Sequence, residues 1–381
     1  MKCISFRQNL LNGWQVTGPA VGERPPYARR VVISAAPGIP LLGPSGASAH
    51  VRGIAEALRA TVVTPRFVDH RGMAGATSAP ALATGVAGWP SWLPTYREQA
   101  EVFTSRRCAR AASELAPDLV YERHSLFSDA GWKLHSSGAR WILEVNAPLV
   151  EERARAGELR DRKFAERWER EVLLAAPEIV AVSAWLVNWL RSLGCQNVRH
   201  LPNGVQPWSG NRDETRARLG LSDKFVLGFL GSMKPWHGVE RLPGLLDALP
   251  GAVMLMVGNG PTKVVHPGMI HMGQVSEAEA ANLVAAMDVG LAPYGPDAPP
   301  WFCPLKVLAY RAQGTPVVAS DLGDCRALIG NSGTLLPCTA TAAELAEACS
   351  HQRNLDRPAK FLRSWQAVAD EALTLPRSAP R

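Results

Sequence analysis

Two lysines and a histidine stand where short apolar runs break. In "FLGSMKPWHGVERL" (229–242) a strand-like run ends at Gly231, and Lys234 and His237 precede a helix expected from about Gly238. An ammonium and an imidazole between a strand and a helix suit a phosphate or diphosphate; a polar loop with solvated charges would carry the same residues. "GIPLLGPSGASAH" (38–50) sets Gly43 and Gly46 before another helix, where backbone N–H groups and the helix dipole meet anions. It is neither a Walker A loop nor a dinucleotide fingerprint, and an ordinary strand–helix turn reads alike. "VYERHSLFSDAGWKLH" (120–135) and "LEVNAP" (143–148) put His124, Glu144 and Asn146 at strand ends. The histidine and the glutamate there read as acid, base or hydrogen-bond partners to hydroxyls, and the histidine equally as a structural hydrogen-bonder. "WFCPLKVLAYRAQGTPVVAS" (301–320) holds Lys306 and Arg311 and no carboxylate.

These residues need a scaffold, and the chain supplies one in alternation. Strand runs are expected at 30–34, 61–63, 118–122, 141–145 and 178–183, then at 225–231, 252–258, 289–294 and 315–320. Helix-length segments lie between them, at 49–60, 90–115 and 239–249, so the fold class is α/β with parallel sheets. At 381 residues the chain exceeds one ordinary core, and "LPNGVQPWSGNRDE" (201–214) divides it. The expected parts are an N-terminal extension (1–29, with Trp14 and Tyr27), a first domain (30–204), a second domain (205–358) and a returning C-terminal helix with a tail (359–381). Residues 151–171 mix both charge signs at helical spacing and read as a solvated helix face.

Composition narrows the class. Seven scattered cysteines, none in a C-x-x-C pair, fit cytoplasmic thiols better than a disulfide frame or a zinc site. No apolar run is long enough to span a membrane, so any membrane association would be peripheral. The net charge of +7 comes without a dense basic block interleaved with aromatics, which argues against nucleic acid as a partner.

The ordered set "GASAHVRGIAEAL", "YERHSLFSDAGWKL", "LEVNAPLVEE", "VAVSAWL", "LPNGV", "GFLGSMKPWHGVERL", "VGNGP", "MDVGLAPY" and "CPLKVLAYRAQGTPVVASD" resembles the retaining glycosyltransferases of family 4. The resemblance runs from about residue 30 to the C-terminus. It implies the GT-B architecture, two facing Rossmann-like domains with a ligand cleft between them. It implies a transferase that moves a sugar from a nucleotide-diphosphate donor to a hydroxyl of a small molecule or saccharide, with retention and no protein-bound metal. Apart from this co-substrate no cofactor is implied. Gly43 and Gly46 would face the diphosphate, and Lys234 and Lys306 would stabilise the leaving group. Ser232 and His237 stand where the family usually offers an arginine and a lysine. Gly258, where "VGNGP" ends the next strand, would be a substrate-binding position, "HMGQV" (271–275, with Val275) would line the nucleobase pocket largely through backbone atoms, and His124 would hydrogen-bond the sugar near the reacting carbon.

The family's two glutamates, separated by seven residues, fall on Trp301 and Ala309. Phe302, Cys303, Pro304 and Leu305 would still turn N–H groups toward the diphosphate. Three explanations stand. The donor nucleotide lacks a ribose hydroxyl, as thymidine diphosphate does, with uridine and guanosine diphosphates as alternatives, and Trp301 stacks on a deoxygenated sugar. Or Asp324 or Asp288 grips the ribose instead. Or catalysis is lost and the chain serves as a nucleotide-sugar-binding or partner subunit. A nucleotide-sugar 2-epimerase of the same fold fits the motif order less well. The Arg/Ala/Trp-rich composition suggests a secondary-metabolite pathway such as antibiotic biosynthesis. Acceptor identity and oligomeric state are not legible.

Overall fold

The computed structural model describes residues 16–17, 29–43, 45–68, 77–86 and 97–374. Most of the expected N-terminal extension, Trp14 and Tyr27 included, and the tail after residue 374 lie outside the described residues. The chain divides into two compact units: the described residues up to Pro202 together with those from Val368, and Asn203–Ala367. The division thus falls two residues before the expected 204/205 boundary. The return to the first unit begins inside the helix Trp365–Leu373 rather than at residue 359.

The first unit is an eight-stranded sheet. Its strands are β1 (Val16–Thr17), β2 (Arg30–Ile33), β3 (Thr61–Thr64), β4 (Ala81–Ala83), β5 (Leu119–Arg123), β6 (Arg140–Val145), β7 (Glu178–Ala181) and β8 (Val198–His200). The order is β1-β4-β3-β2-β5-β6-β7-β8, parallel except that β1 pairs antiparallel with β4 at the edge. Val32, Ile33, Val62, Val120, Ile142, Leu143 and Val180 are fully buried, as expected for strands covered by helices on both faces. The chain reverses direction across the sheet between β2 and β5, which places a switch point at the loops after these strands. Arg140 donates to the Leu373 carbonyl (3.1 Å) and Arg199 to the Glu371 carbonyl (3.2 Å), which ties the C-terminal helix to this sheet.

The second unit is a six-stranded parallel sheet: β9 (Phe225–Leu230), β10 (Ala252–Val257), β11 (Met269–Gly273), β12 (Val289–Ala292), β13 (Val317–Ser320) and β14 (Gly333–Leu336). Its order, β11-β10-β9-β12-β13-β14, puts the switch point between β9 and β12. At that point Tyr310, fully buried, accepts the Leu230 N–H (2.9 Å) and donates to the Leu291 carbonyl (3.0 Å), so one phenol pins both strand ends.

Two local expectations change. The charged segment is not one helix but two, Leu149–Arg155 and Arg162–Ala175. Gly157, at φ 66°, interrupts it, and Asp161 caps the second helix by accepting the Phe164 N–H (2.9 Å). Glu151–Arg155 and Arg162–Glu166 are the exposed acid–base pairs expected, whereas Glu169 turns inward and is buried. After β9 no regular helix begins at Gly238. Two 3₁₀ turns, Pro235–His237 and Val239–Arg241, lead into a short helix at Leu242–Asp247, as the glycine and the following Pro243 dictate.

Candidate functional site

The second unit collects its candidate residues at the switch point, because the loops that carry them follow β9 and β12. The loop after β9 is held by its neighbour after β10. Gly231 donates to the Val257 carbonyl (2.9 Å) and Thr262 to the Met233 carbonyl (3.1 Å). The approach is so close that a Cβ on Gly258 would lie 2.2 Å from the Gly231 oxygen, and Gly258 also sits at φ 112°, so only glycine serves there.

Lys306 opens the helix Leu305–Ala312 that follows the β12 loop. It is buried, and its Nζ has no hydrogen-bond partner. The ammonium lies 4.0 Å from the Phe229 ring centre and 4.9 Å from that of Tyr294. Burial pulls its pKa to about 7, since aromatic faces replace only part of the lost hydration. His237 is also buried. Burial first, then Lys306 and Lys234, hold its pKa at about 2, so the ring is neutral. The Lys234 backbone N–H points at His237 Nδ1 (3.3 Å), which leaves Nε2 as the protonated, donating nitrogen. Lys234 itself is exposed, 5.7 Å from the Trp236 ring, and Ser232 is exposed beside it. Two ammonium groups and a neutral imidazole N–H therefore gather around one strand end, a set of donors suited to an anion.

The stretch 301–305 behaves differently from its expected role. Trp301 is only 4% exposed, so the face expected to stack on a sugar is covered. Leu305 N–H turns to the Cys303 carbonyl (2.9 Å), and Cys303 and Pro304 are buried, so that N–H is not offered to an anion. Phe302 and Ala309 are half-buried, as is Val275 just beyond β11. Asp288 cannot serve the ribose. Arg212 and Arg216 both pair with it, and it accepts the Val226 N–H (2.7 Å), so its oxygens are engaged in holding the unit together. Asp324 is buried where the helix Cys325–Ile329 begins.

In the first unit the glycine-rich loop leads into the helix Gly46–Leu58, which Ser45 caps by accepting the Ser48 N–H (3.1 Å). Gly43 is covered, and a Cβ there would meet Pro40 and Ser48 at 2.8 Å; Gly46 is exposed. The buried Arg52 reaches back to the carbonyls of Leu41 (2.8 Å) and Gly43 (2.9 Å) and fixes the loop from below.

Glu144, at the end of β6, is a hub. One oxygen accepts from His50 Nε2 (2.7 Å) and the Tyr121 hydroxyl (2.5 Å); the other accepts from Asn146 (2.5 Å) and Arg123 (3.3 Å). Burial pushes the carboxyl up, but His50, Arg123 and Tyr121 outweigh it and hold it at about 2. Burial lowers His50, so a neutral imidazole donates through Nε2, and its Nδ1 faces Arg123 Nη1 at 3.3 Å. With its oxygens so engaged, Glu144 is an ionised positioning group, not the acid, base or sugar-hydroxyl partner expected. His124 is buried beside Glu169 (Nε2 to Oε1, 3.3 Å), and the same Glu169 oxygen accepts the Leu149 N–H (2.7 Å). His50, Arg52, Tyr121 and Arg123 were absent from the sequence-derived set; "HSLFSDA" and "GASAHVRG" drew attention to neighbours instead.

Comparison with known proteins follows the same division. Residues 44–208 match the family described as Glycosyltransferase Family 4, and residues 224–352 match Glycosyl transferases group 1. The chain thus matches two glycosyltransferase families in turn, 44–208 falling almost wholly in the first unit and 224–352 in the second. A GDP-mannose-dependent alpha-mannosyltransferase of Mycobacterium tuberculosis (strain CDC 1551 / Oshkosh) is 31% identical over 229 residues, 55% of this chain and 59% of that protein. The chain therefore spans less than two thirds of this relative. The putative teichuronic acid biosynthesis glycosyltransferase TuaC of Bacillus subtilis (strain 168) is 26% identical over 314 residues, 79% of this chain and 76% of TuaC. Among solved structures, HepE of Anabaena in complex with UDP and glucose superposes with a TM-score of 0.66 at 17% identity, covering 91% of this chain and 96% of HepE. Sucrose-phosphate synthase from Thermosynechococcus elongatus gives 0.65 at 21%, with 91% and 94% covered. At these identities the structures establish the fold alone: two Rossmann-like domains of the GT-B type. Among the described residues no helix is long and apolar enough to cross a membrane.

Proposed function

We propose that the group 1 domain binds a nucleotide-diphosphate sugar and that the chain transfers the sugar, with retention, to a hydroxyl of a small-molecule or saccharide acceptor. The observation that carries this reading is Lys306, a buried ammonium with no partner at the switch point of the sheet, next to Lys234 and the His237 N–H. Such a group is costly to keep empty and is repaired by an anion. In this reading the bond from the anomeric carbon to the β-phosphate oxygen breaks, and the acceptor oxygen forms the new bond on the same face. The acceptor proton passes to the departing phosphate oxygen. Lys234 and Lys306 stabilise the charge that develops there, without a protein-bound metal. Gly258 and Val275 take the nucleobase side. In the family 4 domain Gly43, Gly46 and His124 are the proposed substrate contacts; Arg52 fixes the loop of Gly43, and Glu169 stands beside His124. The six described cysteines are all unbridged, in keeping with a cytoplasmic setting, and a secondary-metabolite acceptor remains our reading of the composition.

The donor is proposed to carry thymidine diphosphate, because Ala309 presents no carboxylate to a ribose and Asp288 is committed elsewhere. Side-by-side titration of thymidine, uridine and guanosine diphosphates by thermal shift tests this. A ligand at one hundred times its Kd adds about 2.7 kcal/mol. Ala309→Glu should gain selectively for the ribonucleotides. A wild type that strongly prefers a ribonucleotide refutes the thymidine assignment and turns attention to Asp324. A second reading, a donor-binding subunit without turnover, is favoured by the covered Trp301. It predicts nucleotide binding with no donor hydrolysis in the absence of acceptor, whereas an enzyme hydrolyses donor slowly.

A further inference from the structure

Four rings meet beside Lys306. Tyr294 packs on Phe302 (4.7 Å between ring centres) and on Trp236 (6.0 Å); Trp236 touches Phe302 (5.1 Å) and His237 (4.2 Å). Tyr294 and His237 are buried, whereas Trp236 and Phe302 are each half-buried. The two partly open rings come from the two switch-point loops, Trp236 after β9 and Phe302 after β12. Tyr294 links them to the unpartnered ammonium, whose Nζ lies 4.9 Å from its ring centre.

The sheet order gives this wall a place relative to a bound donor. β10 and β11, which lead to Gly258 and Val275, lie on one side of β9; β12, which leads to Phe302, lies on the other. A diphosphate held at Lys306 and the β9 loop would thus send its nucleoside toward β10 and its sugar toward the aromatic rings. Cations stand beside the wall: Lys234, 5.7 Å from the Trp236 ring, Lys306, and Arg241, which donates to the Tyr294 carbonyl (3.1 Å). Asp297, in the same β12 loop, is exposed.

We propose that Trp236 and Phe302 form the wall on which the transferred sugar packs, and that they select donors whose sugar presents an apolar face, 6-deoxy sugars before fully hydroxylated hexoses. This rests on the proposed donor site and names what that site reads. An aromatic face gains from contact with ring C–H groups and a methyl. The ring faces themselves offer no strong hydrogen bond to a 6-hydroxyl packed against them.

The test compares matched probes by calorimetry: thymidine diphosphate with its glucose and 6-deoxyglucose conjugates, UDP alone, UDP-glucose and UDP-6-deoxyglucose, and GDP with GDP-mannose and its 6-deoxy counterpart GDP-D-rhamnose. Wild type should bind the 6-deoxy member of each pair about tenfold more tightly than its hydroxylated counterpart. Trp236→Leu and Phe302→Leu should each weaken the sugar-bearing ligands by about three- to tenfold and narrow the 6-deoxy preference, while leaving UDP and GDP alone unchanged. Leucine keeps apolar volume, and unchanged UDP binding certifies the fold of either variant. If UDP and GDP bind but neither variant alters the sugar increment, or the hydroxylated sugars are preferred, the wall is overturned while the donor site stands. If no nucleoside diphosphate binds wild type, the donor-site reading falls and the wall falls with it.

Discussion

Replacing Lys306 by methionine should make the empty protein more stable, and by an amount that depends on pH. In the unfolded chain the lysine keeps its proton to its ordinary value of 10.5, whereas in the folded chain burial lets it go near 7. Between those values the unfolded state binds more protons, so folding stability rises with pH by up to about 1.4 kcal/mol per unit from this group. Below pH 7 the full penalty is present, about 5 kcal/mol for a drop of roughly 3.5 units. From pH 7.5 to 9 the wild type should recover about 2 kcal/mol of it. Methionine keeps the stem against Phe229 and Tyr294 and carries no proton, so Lys306→Met lacks this slope. Urea unfolding of both proteins at matched pH measures it, because slopes from all other groups cancel in the difference. Lys306→Met should lead at pH 6.5 and the gap should close toward pH 10. A nucleoside diphosphate supplies the missing counter-charge, so at pH 8 the wild type should take up about one proton on binding, read from calorimetry in two buffers of different ionisation enthalpy. A difference that stays flat between pH 7 and 9, with no proton uptake, refutes the account of Lys306.

Glu144→Gln leaves His50, Tyr121 and Arg123 without a buried carboxylate and should cost about 3–5 kcal/mol in denaturant unfolding at pH 7. Its folded pKa is depressed, so this stabilisation is complete above the unfolded value of 4.5 and is lost as pH falls toward about 2; the gap between variant and wild type should narrow over that window. Lys234→Ala should lower kcat/KM by roughly tenfold to a hundredfold with unchanged thermal stability, since the side chain is exposed and acts on the leaving group; wild-type kinetics would remove it from the mechanism. Gly258→Ala, which forces a methyl against the Gly231 carbonyl at positive φ, should destabilise the second unit by about 1–3 kcal/mol and weaken nucleotide binding, as seen in thermal melts with and without UDP.

Much of the scaffold was legible because parallel strands buried on both faces are written as contiguous β-branched runs, as at Val31–Ile33 and Val317–Val318. The strands that escaped are short or irregular. Ala81–Ala83 has no β-branched residue, and Gly333–Leu336 begins with glycine. Lys306 was legible by position, yet its lack of a partner was not, since that depends on Phe229 and Tyr294 from other elements. The Glu144 hub was hidden for the same reason. His50 and Glu144 are 94 positions apart, and only the pairing of β2, β5 and β6 brings them together. Trp301 misled because an aromatic in a loop motif says nothing about which way it faces. The break at Gly157 and Asp161 was readable from glycine and cap chemistry, but the surrounding charge pattern outweighed it.

The helix Trp365–Leu373 has a consequence for synthesis. The second unit is one continuous segment, but the first is assembled from both ends of the described chain, with Arg140 and Arg199 waiting for carbonyls at Leu373 and Glu371. In the order of synthesis the whole of the second unit lies between the two parts of the first. The first unit completes itself only when a segment that follows the second unit in the chain docks on its sheet. A variant cut before residue 368 would deprive Arg140 and Arg199 of these carbonyls while leaving the second unit's segment whole, so the first unit rather than the second should lose stability.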